Sequence, residues 1–131
     1  MKIAFATTDL VHINAHFGWA NQIAVYEVSA EGYQFLDTVN FDGELKEDGN
    51  ENKLVPKIDA LSDCTIVYVA AIGGSAAARL IRKRVTPVKA RSEDEQISEV
   101  LEKLVKTLKG NPPPWLRKAL QEQPKSFDLK E

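Results

Sequence analysis

The first apolar run, Ile3-Ala4-Phe5-Ala6-Thr7, has no polar face, as expected of a strand covered on both sides. Thr8 to Ala20 is richer in polar and small residues and reads as a loop. Gln22 to Val28 and Tyr33 to Asn40 follow as strands, with Ile23, Val25 and Tyr26 suited to a sheet. The short turn Ser29-Ala30-Glu31-Gly32 makes them an antiparallel hairpin. Asp42 to Glu51 is acidic and holds Gly43, Gly49 and Asn50, the composition of a surface loop. After Asn50 or Asn52, Leu54, Val55, Ile58 and Leu61 fall at helical spacing, with Pro56 acceptable in a first turn. Thr65-Ile66-Val67-Tyr68-Val69 is the most strand-like run of the chain. Ala71-Ile72-Gly73-Gly74 breaks it, and Ser75 is the expected cap of a helix through Lys83. Thr86 to Ala90 reads as an edge strand, because Pro87 cannot donate to a ladder. Ser92 and Glu95 have capping-box spacing before a stripe of Ile97, Val100, Leu101, Leu104, Val105 and Leu108. Gly110 ends that helix, Asn111-Pro112-Pro113-Pro114 is a stiff link, and Trp115 to Leu120 is one or two further helical turns.

The order β-β-β-α-β-α-β-α, a hairpin followed by βαβ units, predicts a mixed sheet with helices on both faces. That is an α/β fold of the ribonuclease-H-like type. Residues 1–110 form one expected domain and 111–131 a Pro- and Trp-containing tail.

Composition removes whole classes of function. A net charge of −2 points to no nucleic-acid partner, although residues 79–91 hold six bases and no acid. The single cysteine, Cys64, rules out an intrachain disulfide and a thiolate-only zinc or iron–sulfur site. No run reaches membrane-spanning length, and Met1-Lys2-Ile3 starts directly with a strand pattern, so cytoplasm is the expected compartment.

Chemistry concentrates in Asn14-Ala15-His16-Phe17-Gly18-Trp19-Ala20. In a sheet of this type, ligands bind beyond the carboxyl ends of the parallel strands. If the first and fourth strands are parallel, the His16 loop and the Gly73-Gly74-Ser75 turn share that edge. An imidazole then lies beside backbone N–H groups able to bind an anion, with Arg79 one helical turn further on. His16 is alternatively an ordinary core or surface histidine, and the glycine pair an ordinary strand-to-helix turn; it matches neither nucleotide-binding glycine motif. His12 is read as a loop residue or a support for the site. Cys64, at the other end of its strand, is expected to be a structural thiol. Trp115 either covers the core or docks on a partner. The first and fourth strands carry no carboxylates and Asp9 stands alone in its loop, so no acid–base pair or nucleophile triad assembles.

Four stretches together resemble the dinitrogenase iron–molybdenum cofactor biosynthesis family. They are His16-Phe17-Gly18, Asp63 to Val69, Ala71 to Arg79, and Asn111 to Ala119, and the resemblance runs from Lys2 to about Leu120. It implies a fold without nuclease activity or other catalysis. It also implies transient carriage of iron–sulfur precursors of the nitrogenase cofactor, NifB-co or a later one. The implied iron ligand is His16, with Gly73, Gly74, Ser75, Asn14 and Arg79 as the accompanying cargo-binding candidates. The implied partners are the assembly proteins NifB and NifEN, with the chain itself a monomer or weak homodimer. The alternative is an interaction or regulatory module of the same machinery that binds no cluster.

Overall fold

The computed structural model describes residues 1–20, 22–40, 54–92 and 94–117. The acidic loop of 42–51, and the chain from 118 on, lie outside the described residues. The strands are β1 (Lys2–Ala6), β2 (Gln22–Ser29), β3 (Gly32–Asn40), β4 (Ile66–Val69) and β5 (Thr86–Lys89). The helices are α1 (Leu54–Ala60), α2 (Gly74–Arg82) and α3 (Ile97–Lys109), and a 3-10 turn covers Phe17–Trp19. A helical turn also forms at 114–117. The sheet order is β3-β2-β1-β4-β5. β1 runs antiparallel to β2 and parallel to β4, and β4 parallel to β5. This is the mixed, ribonuclease-H-like arrangement expected from the element order.

The two-sided apolar character of β1 is used on both faces. Ala4 and Ala6 belong to a core with Val67, Val69, Ile58, Ala76 and Leu80, under α1 and α2. Ile3 and Phe5 belong to a second core with Ile66, Val100, Leu101 and Leu104, under α3. Alternate side chains of a strand point to opposite faces, so one five-residue strand supports both layers. Leu116 is buried in the α3-side core, so the segment after the prolines packs back on the domain, while Trp115 remains half exposed.

Several local expectations shift. Ser75 does not cap α2. The N-cap is Gly73, which has no side-chain cap bond, and Ser75 lies inside the helix. The capping box is not Ser92 with Glu95 but Gln96 with Glu99. The residue that caps is the one standing one place before the first helical turn, and α3 begins at Ile97. Val55 does not join the buried stripe of α1 but is exposed. Gly110 ends α3 with φ −92°, so no left-handed backbone requires glycine there. Gly32 is different: its φ of +149° at the hairpin turn is one that residues with a side chain rarely adopt. Pro87 lies on the edge strand as expected. No helix among the described residues is long and apolar enough to cross a membrane.

Candidate functional site

Residues 12–17 cross the carboxyl end of the sheet. One end is pinned to the start of α3, where the Ile13 N–H donates to the Glu95 carbonyl (2.9 Å) and the Ile97 N–H to the Val11 carbonyl (2.8 Å). The other end is pinned beyond β4, where the Ala70 N–H donates to the Ala15 carbonyl (3.0 Å) and the Phe17 N–H to the Ala71 carbonyl (2.8 Å). Between these anchors burial alternates. Ile13, Ala15 and Phe17 are buried, and His12, Asn14 and His16 are partly exposed. Period-two alternation is that of extended chain. His16 pairs with Ala71, two residues before Gly73, so the imidazole loop and the glycine turn do share one edge.

His16 has extended backbone, and its Nδ1 accepts the Gly18 N–H at 3.0 Å, capping the 3-10 turn. The proton of the neutral ring therefore sits on Nε2. A Cβ at Gly18 would lie 3.4 Å from the His16 Cε1, at the edge of ordinary contact. Burial, and then the positive charge of Lys57, hold the His16 imidazole below its ordinary titration range. The ring is thus neutral near pH 7.

Lys57 went unnoticed in the sequence, and it shapes the loop. Its side chain is fully buried. Its Nζ donates to the carbonyls of Phe17 (2.9 Å), Gly18 (3.3 Å) and Ala20 (3.0 Å), and lies 5.6 Å from the centroid of the Phe17 ring. These are carbonyls of the 3-10 turn and its exit, which would otherwise point into the protein without donors. Burial lowers the ammonium to about 8. The available signal was spacing: Leu54, Lys57, Ile58 and Leu61 follow i, i+3, i+4, i+7, which puts a lysine on the apolar face of α1.

Gly73, Gly74 and Ser75 are exposed at the N-terminus of α2. A Cβ added at either glycine would meet nothing within 4 Å, and Gly73 has φ −76°. Neither packing nor backbone geometry demands glycine there. Asn14 acts within the loop, its Oδ1 accepting the Thr8 N–H at 2.9 Å. Arg79 lines a groove of about 380 Å³ between α1 and α2, with Val55, Ile58, Asp59, Arg82 and Lys83.

Asp9 organises the turn after β1. Its Oδ1 accepts from the N–H groups of Val11 (2.9 Å) and His12 (2.8 Å) and from the Thr7 hydroxyl (3.2 Å), while Oδ2 lies 2.7 Å from the His12 Nδ1. The bond from the His12 side chain, followed by the backbone bonds, holds this carboxyl well below the usual range. Leu10, between them, takes a left-handed φ of 65°. Cys64 is buried at the opposite end of β4, and burial pushes its thiol up to about 12, so it stays protonated. Among the described residues no group of three or more His, Cys, Asp or Glu side chains is placed to hold a metal ion.

Taken together, the fold and this edge define a ribonuclease-H-like α/β domain with a neutral imidazole beside an open helix N-terminus. The sequence model of the dinitrogenase iron-molybdenum cofactor family matches residues 1–107, and the chain belongs to that family. It is 56% identical to NifX of Herbaspirillum seropedicae, covering 92% of this chain and 82% of that protein. It is 42% identical to NifX of Sinorhizobium fredii, covering 92% of this chain and 78% of that one. A solved structure, that of PH0822, shares the fold with a TM-score of 0.60 at 18% identity, over 88% of this chain and 98% of the other. The protein's role therefore lies in iron–molybdenum cofactor biosynthesis.

Proposed function

We propose that the protein is a carrier or reservoir of iron–sulfur precursors of the iron–molybdenum cofactor, passing them between NifB and NifEN in the cytoplasm. The observation that carries this reading is the His16 imidazole, held below its ordinary titration range, on the same edge as the exposed N-terminus of α2. A precursor cluster is sulfide-bridged and anionic. In this reading one imidazole ligates an iron, and the N–H groups of Gly73, Gly74 and Ser75 meet the sulfide face with the helix dipole behind them. Asn14 and Arg79 would be the accompanying contacts, Asn14 from the outward side of the same segment and Arg79 from α2. One protein ligand with hydrogen-bond support suits a cargo that has to leave, whereas a full thiolate set would retain it.

Ligation through Nε2 changes the tautomer of His16. The ring proton must move to Nδ1, and the Gly18 bond is given up. Such a bond contributes about 1 kcal/mol, small beside an iron–imidazole bond. The cap thus keeps the empty ring ordered without locking it.

The test is anaerobic titration of the protein with isolated precursor, followed by visible absorbance and bound iron, for wild type, His16→Ala and Cys64→Ala. Near-stoichiometric binding by wild type and Cys64→Ala, with most affinity lost in His16→Ala, is the expected outcome. Equal binding by His16→Ala removes the site, and no binding by wild type removes the carrier. The latter outcome favours the second reading, a docking module without a cluster. Its supporting feature is the groove between α1 and α2, where Arg79, Arg82 and Lys83 outnumber Asp59, which pairs with Lys83 at 3.6 Å.

A further inference from the structure

The two histidines of this chain stand in one extended segment, and their neighbours set them in opposite tautomers. His16 receives an N–H at Nδ1 and so carries its proton on Nε2. His12 faces an ionised carboxylate at Nδ1, 2.7 Å away, so there the ring must donate. Its neutral form therefore has the lone pair on Nε2. Among the described residues that nitrogen meets no hydrogen-bond partner, and the side chain is 33% exposed. A carboxylate behind one ring nitrogen, with the other nitrogen outward, is the arrangement that fixes the tautomer and orientation of a metal-ligating imidazole. Asp9 is itself fixed by three further bonds, from the Val11 N–H, the His12 N–H and the Thr7 hydroxyl. The His12 ring is thus held from behind by a rigid turn.

His12, Asn14 and His16 share the outward side of the segment. Four extended residues separate the two histidine Cα atoms by up to about 13 Å. His12 lies at the start of α3 through its bridge to Gln96, and His16 lies before α2 through its bridge to Ala71. On an extended segment whose two ends bridge different elements, the rings stand at separate points of the edge. They are placed to reach different metal atoms of one large, polynuclear ligand lying along the edge.

We propose that His12, backed by Asp9, is a second iron ligand of the cargo site, binding the end of a polynuclear iron–sulfur cluster opposite the end held by His16. This rests on the carrier reading above. It gives the site a criterion of size: a cluster spanning the row engages both imidazoles, and a single iron or a small cluster engages one. It also gives a route for transfer, since one end can be released to a receiving protein while the other stays bound.

The test uses protein with no polyhistidine tag, 15N-labelled at histidine, titrated anaerobically with isolated nitrogenase cofactor precursor. With two histidines in the chain, His12→Ala and His16→Ala assign both rings. Before loading, the ring nitrogens should report Nδ1–H for His12 and Nε2–H for His16. On loading, the Nε2 signal of His12 should shift or broaden beyond detection together with the signals of His16. Asp9→Asn is the informative variant. It keeps a carbonyl oxygen for the Val11 and His12 N–H groups but puts an NH2 opposite Nδ1, inverting the His12 tautomer. Affinity should fall about tenfold or more in Asp9→Asn, the loss typical when a ligand's supporting carboxylate is removed, and at least as far in His12→Ala. A His12 Nε2 signal unmoved by the bound cluster overturns this proposal and leaves the carrier reading standing, as does wild-type affinity in a folded His12→Ala. Wild-type protein that binds no precursor overturns both.

Discussion

Replacing Lys57 by Met removes a buried ammonium while keeping most of the side-chain volume. Two opposing effects result. The carbonyls of Phe17 and Ala20 lie in buried residues and lose their donor, at about 1–3 kcal/mol each, while that of Gly18 is partly exposed and recovers water. Against this, the cost of burying the charge disappears. Lowering the ammonium from 10.5 to about 8 corresponds to about 3 kcal/mol at 1.36 kcal/mol per tenfold change. Near pH 7 the two effects offset one another and the net loss is small, about 0–3 kcal/mol. The discriminating quantity is the pH dependence. Between about 8 and 10.5 the unfolded chain keeps the lysine proton that the folded chain has released. Stability conferred by this group therefore rises with pH across that window. Urea unfolding of wild type and Lys57→Met at several pH values from 7 to 10.5 gives the difference, in which all other titrating groups cancel. The deficit of the variant should widen by about 3 kcal/mol from the lower limit to the upper. Parallel curves would refute the buried, charged carbonyl clamp. In the same variant the His16 imidazole, freed from a neighbouring positive charge, should titrate at higher pH by histidine NMR.

Other consequences follow from single contacts. The His16 imidazole should titrate below the ordinary histidine range near 6.5 when followed by histidine NMR in cargo-free protein; a midpoint at or above that range would contradict burial beside Lys57. Gly32→Ala should cost about 1 kcal/mol in urea unfolding through its positive φ alone, since the space around it is open; an unchanged midpoint would show that the hairpin turn relaxes. Cys64 should resist iodoacetamide in native protein at pH 8 and react once the chain is unfolded, and fast native labelling would place the thiol outside the core. Leu116→Ala should cost about 2–5 kcal/mol, as a buried leucine of the α3-side core does; a surface-like effect would detach the segment from the domain.

Much of the fold was legible in the pattern of the chain. The described strands and helices lie where alternation, apolar runs or the helical stripe put them, to within a residue or two, except that α3 begins at Ile97 and not directly after Ser92. The shared edge of the His16 loop and the Gly73 turn followed from parallel β1 and β4 alone. Caps were misplaced because several residues near each helix start are chemically able to cap. Ser75 and Ser92 are good cap formers, yet the chain path put Gly73 and Gln96 at the turning point. Lys57 was hidden because a lysine on an apolar face is first read as a solvated side chain.

The sequence by itself determined the layers: period-two and period-3.6 patterns are local, and burying them leaves few ways to stack one sheet between helices. It also marked residues 14–20 and the glycine turn as the stretches where polar, small and imidazole side chains interrupt the apolar pattern. Tertiary structure alone decided which atoms of those residues are available. The ammonium that fixes the His16 loop comes from 40 positions away. Both imidazoles have the same intrinsic chemistry, and what separates them is whether a backbone N–H or a carboxylate faces Nδ1. Hydrogen-bond direction and desolvation are set by neighbours within a few ångströms, and such neighbours are fixed by the folded chain, not by residue type or spacing.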